Sequence, residues 1–393
     1  MEQAHSISFE DTAIAFRYKS DRALRKANLI FSLVNHPWIS ATATRAVRIS
    51  LKLGLPVESL IKTTVFDHFC GGEDIQESDK AVQLLARYQV GTILDYSVEG
   101  EDTEAAFDKT ADEIIRTIEK ARHSKNIPFS VFKVTGIAAT ALLEKLHSKA
   151  TLSIDEVAAY ERVRKRVNAI CESAHQARIP VLIDAEETWI QDPIDALAYA
   201  MMERYNREQA IVFNTFQLYR TASLENLKNA YTAAEGKNYF LGAKIVRGAY
   251  MEKERARAEA MGYPSPIHPD KEASDQAFND ALLFSIDHLT NMSIMCGSHN
   301  EHSNKYLVEL MQQRNIDPRD QRVWFAQLYG MSDNISFNLA QEAYRVAKYV
   351  PYGPVRSVMP YLFRRAAENT SVAGQSSREL TLLRRELRRR RKG

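Results

Sequence analysis

Eight short apolar runs, several of them rich in β-branched residues, follow one another along the chain after residue 90. Amphipathic segments such as AFDKTADEIIRTIEKARH and VAAYERVRKRVNAICESAHQA separate them and have the apolar spacing of helices. This alternation predicts parallel strands joined by right-handed helical crossovers, and eight such units predict an α/β protein with a (β/α)8 TIM-type barrel. The runs span residues 90–97, 129–136, 179–187, 209–219, 239–250, 292–300, 322–330 and 345–353.

An open, doubly wound sheet is the alternative arrangement of the same elements. The runs are almost continuously apolar, as expected for strands that helices cover on both faces. No G-x-G-x-x-G sequence follows the first run, which removes the usual dinucleotide-binding form of the open sheet. The barrel is therefore the favoured architecture.

The first 90 residues have a helical sequence pattern. ALRKANLIFSLV and KAVQLLARY carry apolar residues at helical spacing, and a proline and a glycine pair mark breaks between them. This pattern predicts a helical arm over residues 1–90, followed by a barrel over residues 91–393 that ends in a basic helical tail.

Charge and targeting signals narrow the class of protein. Lys plus Arg is 52 and Asp plus Glu is 50, a near balance that argues against a dedicated nucleic-acid-binding protein. No apolar run approaches the ~18 residues that span a bilayer. The N-terminus has neither a secretory nor a transit pattern, and Cys70, Cys171 and Cys296 lack metal-ligand spacing. We therefore expect a cytoplasmic protein.

The last ten residues, RRELRRRRKG, hold seven cations and one glutamate. One interpretation is a solvated helix end. The other is an electrostatic contact with anionic lipid or RNA.

Polar residues stand at the ends of the predicted strands, where a barrel places its active site. Each could instead be a salt bridge that closes the barrel. They are Lys133, Asp184, Glu186, Gln217, Lys244, Arg247, His299, Gln327 and Tyr349.

Several of these residues form short constellations. Asp184 and Glu186 could hold a metal, act as acid and base, or pair with Lys133. His299 and His302 have the spacing of a metal-binding pair, although a lone histidine more often forms only hydrogen bonds.

Two further groups carry positive charge. Lys244, Arg247 and Tyr250 surround a glycine and suit a phosphate, a reduced flavin or an anionic substrate. On a helix, Arg364 and Arg365 would neighbour Tyr361, an arrangement that suits a small carboxylate with an apolar body. The alternative is a solvated basic helix face.

The series IDAEE, FNTFQLY, KIVRGAY, SHNEH, QLYGM, KYVPYGP and YLFRRAAEN, in this order, resembles the proline dehydrogenase family. The resemblance covers residues 130–375 and extends more loosely to the arm. It implies a (β/α)8 barrel that uses FAD to oxidise L-proline to Δ1-pyrroline-5-carboxylate, the first step of proline catabolism, and that passes electrons to a membrane quinone.

The resemblance also implies residue roles. The expected catalytic set is Lys133 with Asp184, and Arg364 with Arg365 on the substrate carboxylate. The substrate-binding set is Tyr250, Ile245, Tyr349 and Tyr361. The FAD-binding set is Gln217, Lys244, Arg247, Ser298, His299, Gln327 and Glu368, and no metal is expected.

Three alternatives remain open. Tyr349 would crowd a 4-hydroxyl group, so proline is expected over 4-hydroxyproline, although a hydroxyproline dehydrogenase of the same fold is an alternative. The others are a metal-dependent lyase or hydrolase that uses Asp184, Glu186 and His299, and a binding module that acts through the basic tail.

The length predicts a monofunctional form without an aldehyde dehydrogenase module. We expect it in the cytoplasm or peripheral at the inner face of the membrane.

Overall fold

A computed structural model of the chain describes residues 7–34, 45, 58–98, 102–371 and 375–392. Its eight parallel strands form a closed barrel in the order β1 to β8, which confirms the predicted (β/α)8 architecture. The strands are β1 (Val90–Tyr96), β2 (Phe129–Lys133), β3 (Val181–Asp184), β4 (Val212–Gln217), β5 (Leu241–Val246), β6 (Met292–Gly297), β7 (Val323–Leu328) and β8 (Val346–Tyr352).

Helices precede the barrel and connect its strands. A π-helical turn, Lys62–Phe66, links α3 to α4, and a 3-10 turn, Val134–Gly136, follows β2. The early α-helices are α1 (Thr12–Ala15), α2 (Asp21–Val34), α3 (Glu58–Ile61), α4 (Asp67–Phe69), α5 (Ile75–Ala86), α6 (Glu104–Arg122), α7 (Thr140–His147) and α8 (Ile154–Ala177). The later ones are α9 (Thr188–Tyr205), α10 (Ser223–Gly236), α11 (Met251–Met261), α12 (Lys271–Asp287), α13 (Glu301–Gln313), α14 (Asp333–Gln341), α15 (Val355–Ser371) and α16 (Gln375–Lys392).

The chain divides into two compact units. We name the described residues of Gly100–Ala326 the central unit, and those of Gln3–Glu99 and Gln327–Gly393 the terminal unit. The division at residue 90 between a helical arm and a barrel stays a prediction.

In the central unit, regular parallel pairing sets the positions of the strand ends. Lys133 pairs with Asp184 between β2 and β3, and Thr215 pairs with Lys244 between β4 and β5. Every residue of β4 is buried, as expected for a strand with helices on both sides. Side-chain caps define the helix starts: Ser153 and Glu156 form a capping box on α8, and Asn300 caps α13.

In the terminal unit, β1 pairs with β8 in parallel, and Thr92 lies opposite Lys348. An apolar core joins the N-terminal helices to the two C-terminal helices through residues that include Phe16, Leu24, Phe31, Phe66, Val358, Leu362, Leu382 and Leu383. The amphipathic pattern of α2 and α16 therefore reflects burial of one face of each helix.

Candidate functional site

A buried carboxylate lies between two ammonium groups at the strand ends of the central unit. Nζ of Lys133, the last residue of β2, is 2.8 Å from Oδ2 of Asp184, the last residue of β3. Nζ of Lys244, within β5, pairs with the other oxygen, Oδ1. Lys244 and Asp184 are both largely enclosed, so these pairs are shielded from water.

This arrangement determines the charge of Asp184. Burial by itself would raise the pKa of a carboxyl group, but the two lysines outweigh that effect and lower the pKa of Asp184 to about 2. The group is therefore a carboxylate at neutral pH.

A second buried carboxylate lies two residues further on. Glu186 accepts hydrogen bonds from the backbone N–H of Thr135, at 3.0 Å, and from the Thr135 hydroxyl. Burial raises the pKa of Glu186 to about 7, although the bonds from Thr135 oppose the shift. The sequence had suggested a partnership between Glu186 and Asp184, whereas the structure gives Glu186 a partner of its own.

Three residues predicted to bind FAD lie near these strand ends. Gln217, the last residue of β4, donates from Nε2 to the carbonyl oxygen of Glu186 at 2.7 Å. Ser298 is buried directly after β6, and its backbone N–H donates to the carbonyl oxygen of Ala326 at 3.1 Å. His299 follows it and is half-buried.

The guanidinium group of Arg247 is fixed on several sides. Nε lies 2.6 Å from Oδ1 of Asp275, and the two terminal nitrogens each donate to a serine hydroxyl at 2.8 Å, those of Ser298 and Ser303. The group also stacks over the ring of Phe278, 4.3 Å from its centroid. Arg247 is thereby held in one orientation beside Ser298, another predicted cofactor residue.

Tyr250 and Ile245 were both predicted to contact the substrate. Tyr250 is buried immediately before α11, and Nζ of Lys253 lies 5.6 Å from the centroid of its ring. Ile245 has no accessible surface, and its side chain points to the strand face opposite that of Lys244 because side chains alternate along β5. Substrate contact by either residue stays a prediction.

The terminal unit holds the remaining predicted residues. Tyr349 lies in β8 with a buried side chain. Gln327, in β7, is buried and accepts a hydrogen bond from the Ser336 hydroxyl at 2.7 Å.

Helix α15 carries the arginine pair. The guanidinium carbon of Arg365 lies 5.4 Å from the centroid of the Tyr361 ring, as expected for residues four apart on a helix. Arg364 and Arg365 are half-buried, and Tyr361 is buried. Glu368 falls on the same helix, but its side chain lies outside the described residues.

Sequence reasoning missed a buried charge network in the terminal unit. Lys348 of β8 has no accessible surface, and its Nζ lies 2.7 Å from Oδ1 of Asp333. Lys19 and the Tyr18 hydroxyl bind the other oxygen of Asp333, at 3.0 and 2.7 Å. The signal was a lysine within an apolar strand run, which marks a buried charge that needs a partner.

Two further features of the described residues concern metal binding and membrane insertion. No group of three or more His, Cys, Asp or Glu side chains in this part of the chain could hold a metal ion. None of the helices that the structure describes is long and apolar enough to cross a membrane.

Comparison with known proteins identifies relatives of the whole chain. A family model described as proline dehydrogenase matches residues 78–378. The chain is 32% identical to the protein named proline dehydrogenase 1, mitochondrial, of Dictyostelium discoideum, over 97% of this chain and 74% of that protein. It is also 32% identical to the carbapenem antibiotics biosynthesis protein CarD of Pectobacterium carotovorum subsp. carotovorum, over 89% of this chain and 93% of that protein.

Solved structures give the same fold. A crystal structure of proline utilization A (PutA) from Bdellovibrio bacteriovorus, inactivated by N-propargylglycine, aligns with a TM-score of 0.72 at 17% identity. The alignment covers 95% of this chain but 40% of that one, so the chain spans less than half of the PutA protein. The family match over residues 78–378 and the near full-length similarity to the Dictyostelium protein together show that this chain belongs to the proline dehydrogenase family.

Proposed function

We propose that this chain oxidises L-proline to Δ1-pyrroline-5-carboxylate, with bound FAD as the hydride acceptor, as the first step of proline catabolism. The observation that carries the proposal is the buried Asp184 carboxylate held between Lys133 and Lys244 at the ends of the barrel strands. The rim at these ends is where barrel enzymes keep their reactive groups.

Substrate binding is assigned to the terminal unit. Arg364 and Arg365 would hold the proline carboxylate through charge-assisted hydrogen bonds, and Tyr361 and Tyr349 would pack against the ring. The position of Arg365 over the Tyr361 ring supports this assignment, because it places a carboxylate-binding group beside an apolar surface.

The donor set of the central unit fits a flavin cofactor. Gln217, Ser298 and His299 stand at or just after strand ends, Lys244 lies within β5, and Arg247 is fixed beside Ser298. Lys133 and Lys244 place two cations at this end of the barrel, and cations favour a ligand that gains electron density. When bound, FAD supplies a two-electron acceptor for the hydride that leaves Cδ of proline. Gln327 and Glu368 keep the cofactor-binding role that the resemblance implies.

The charges also indicate how the substrate loses its proton. The proline ammonium must become a neutral amine before hydride can leave, and cations near a bound ammonium group lower its pKa, so that the proton is lost to solvent water as proline binds. Asp184 is a weak base, because its pKa is lowered to about 2. We therefore assign Asp184 the role of orienting Lys133 and Lys244 rather than that of accepting the proton.

The electrons would leave through a membrane quinone at the inner face of the membrane. The exposed faces of α2 and α16 support this part of the proposal. Both glutamates of α16, Glu379 and Glu386, are buried, so its exposed residues are mostly arginines. The neighbouring α2 exposes Leu29 and Leu33. Cations beside exposed leucines suit an anionic lipid surface.

The visible absorption spectrum of the purified protein tests the reaction. We expect a yellow flavin spectrum that bleaches when L-proline is added without oxygen. Bleaching with 4-hydroxyproline but not with proline would change the proposed substrate to 4-hydroxyproline and leave FAD as the proposed cofactor. A colourless protein that cannot be reconstituted with FAD, and that holds stoichiometric zinc or manganese, would replace the proposal with the metal-dependent alternative.

A further inference from the structure

Glu186 is a buried carboxylate to which the proposed reaction gives no role. Glu186 is 3% exposed, and it lies two residues after Asp184. A buried carboxylate costs free energy unless hydrogen bonds compensate for the water contacts it loses. Carboxylates kept at such a cost beside a reactive group are candidates for a functional role.

The contacts of Glu186 repeat the geometry of the neighbouring ion pair. Lys133 binds Asp184, and two residues beyond the end of each strand Thr135 binds Glu186. The two links therefore join the ends of β2 and β3 side by side. Thr135 lies in the 3-10 turn Val134–Gly136 that begins directly after Lys133, so the second link fixes the turn that follows this lysine.

The backbone of Glu186 is itself held from two other elements. Its N–H donates to Oε1 of Gln191 on α9 at 2.8 Å, and its carbonyl oxygen accepts from Gln217 of β4 at 2.7 Å. Gln191 in turn donates to Asp195, which also accepts from Asn214 of β4, at 2.7 and 2.8 Å. The backbone of Glu186 is thus held in place, and its side chain in turn binds Thr135.

We propose that Glu186 is a positioning residue: its link to Thr135 fixes the turn after β2 and so holds Nζ of Lys133 on Asp184. This inference rests on the proposed function, because Lys133 matters through the reaction assigned above. The link needs an acceptor for the Thr135 N–H and a partner for its hydroxyl, and an amide can supply both. A methyl group can supply neither.

The test uses the FAD-loaded protein and three variants. Glu186→Ala removes the link, Glu186→Gln preserves it, and Glu187→Gln is the matched control on the adjacent carboxylate, which pairs with Lys253 instead. Two quantities are measured: the rate of flavin bleaching by L-proline, and the hydrogen exchange of the peptide that contains Thr135. FAD content is recorded for each variant.

We expect Glu186→Ala to speed exchange at Thr135 and to lower the bimolecular rate of bleaching by about 10- to 100-fold, with FAD content unchanged. Glu186→Gln should restore both quantities, and Glu187→Gln should change neither. If Glu186→Ala fails to fold, Thr135→Val removes only the hydroxyl bond and should move both quantities in the same direction by less.

Two results would overturn the inference. Faster exchange at Thr135 with normal bleaching would show that the link is structural only. A Gln variant as slow as the Ala variant, with normal exchange, would show that the charge matters rather than the link. If the unmodified protein holds FAD but is not bleached by proline, the proposed function is wrong. The exchange data would still show whether Glu186 holds Thr135 in place.

Discussion

The arginine pair on α15 gives the proposed reaction its most direct test at the scale of single residues. Arg364 and Arg365 are half-buried, so their hydrogen bonds to a carboxylate would be partly shielded from water. The two side chains are adjacent in sequence and diverge around the helix, so each can hold a different oxygen of one carboxylate. Loss of either should therefore weaken substrate binding without loss of the cofactor.

We expect Arg364→Met and Arg365→Met each to cost roughly 2–4 kcal/mol of substrate binding, which raises the KM for proline by about two orders of magnitude. Steady-state kinetics of the flavin-loaded protein measure this change, and the flavin absorbance shows that FAD is retained. Arg356→Met is the control, because Arg356 is exposed on the same helix and pairs with Glu58. An unchanged KM in both variants would show that Arg364 and Arg365 do not bind the proline carboxylate.

At this scale the sequence predicted one partner of Asp184 and missed the other. Lys133 was an expected partner because it ends the preceding strand. Lys244 lies two strands further on, in β5, and only the closed barrel brings alternate strands into one layer of side chains. The link between Glu186 and Thr135 was missed for a similar reason, since it depends on the register of β2 and β3.

At the scale of elements, α16 carries two glutamates on its buried side. Glu379 accepts from the backbone N–H of Ser332, close to Asp333. Glu386 pairs with Arg389 and Arg390 of its own helix. The two glutamates share a buried face, but their surroundings differ in charge: Asp333 repels the charge of Glu379, whereas two arginines stabilise that of Glu386.

These surroundings give the two glutamates opposite pH behaviour. Burial and Asp333 raise the pKa of Glu379 to about 7, against the weaker influence of Ser332, Lys348 and Lys19. The folded state therefore binds this proton more tightly than the unfolded state, and stability falls as the pH rises from about 4.5 to 7. For Glu386 burial opposes the shift, but the arginines lower the pKa to about 2.

We expect Glu379→Gln to leave the melting temperature nearly unchanged at pH 5 and to stabilise the protein at pH 8, by about 1–3 kcal/mol. Glu386→Gln should instead destabilise it at both pH values, because its ionised form is the favoured one throughout that range. Thermal unfolding at pH 5 and pH 8 distinguishes the two. A stabilisation by Glu379→Gln that does not depend on pH would contradict the assignment.

The elements themselves were largely predictable. All eight apolar runs contain a strand, and each run extends past the strand end. The strand within the run 179–187 ends at Asp184, and beyond it the backbone groups of Glu186 bind the side chains of Gln191 and Gln217 instead of the backbone of a neighbouring strand. Apolar pattern alone does not reveal where such side chains replace strand pairing.

At the scale of the whole molecule, the small formal charge of +2 conceals a strongly uneven distribution. In the terminal unit α16 packs against α2, and Arg390 bonds Asp21 as well as the carbonyl oxygens of Phe16 and Lys19. Part of the basic tail is thus used to attach the helix. Arg384, Arg388, Arg391 and Lys392 remain exposed at helical spacing.

The α2 helix adds to this surface. Its exposed residues Arg22, Arg25, Leu29 and Leu33 recur at helical spacing, and Leu29 is 60% exposed. The exposed faces of these two helices therefore combine cations with large apolar side chains. Such a combination binds anionic bilayers through both charge and apolar insertion, and it would bring the protein to a membrane-bound quinone.

We expect the double variant Arg384→Glu with Arg388→Glu to lower binding to phosphatidylglycerol-containing vesicles by at least about tenfold, since each basic residue near such a surface contributes about 1 kcal/mol. Vesicle sedimentation measures the binding. Lys149→Glu with Lys228→Glu is the matched control, because it makes the same change in net charge at exposed lysines outside α2 and α16. Leu29→Ser should weaken binding even at high salt, where the electrostatic part is screened. If the control pair weakens binding as much as the α16 pair, net charge rather than this surface governs the contact. If none of the variants changes vesicle binding, the proposal that this surface brings the protein to a membrane quinone is wrong.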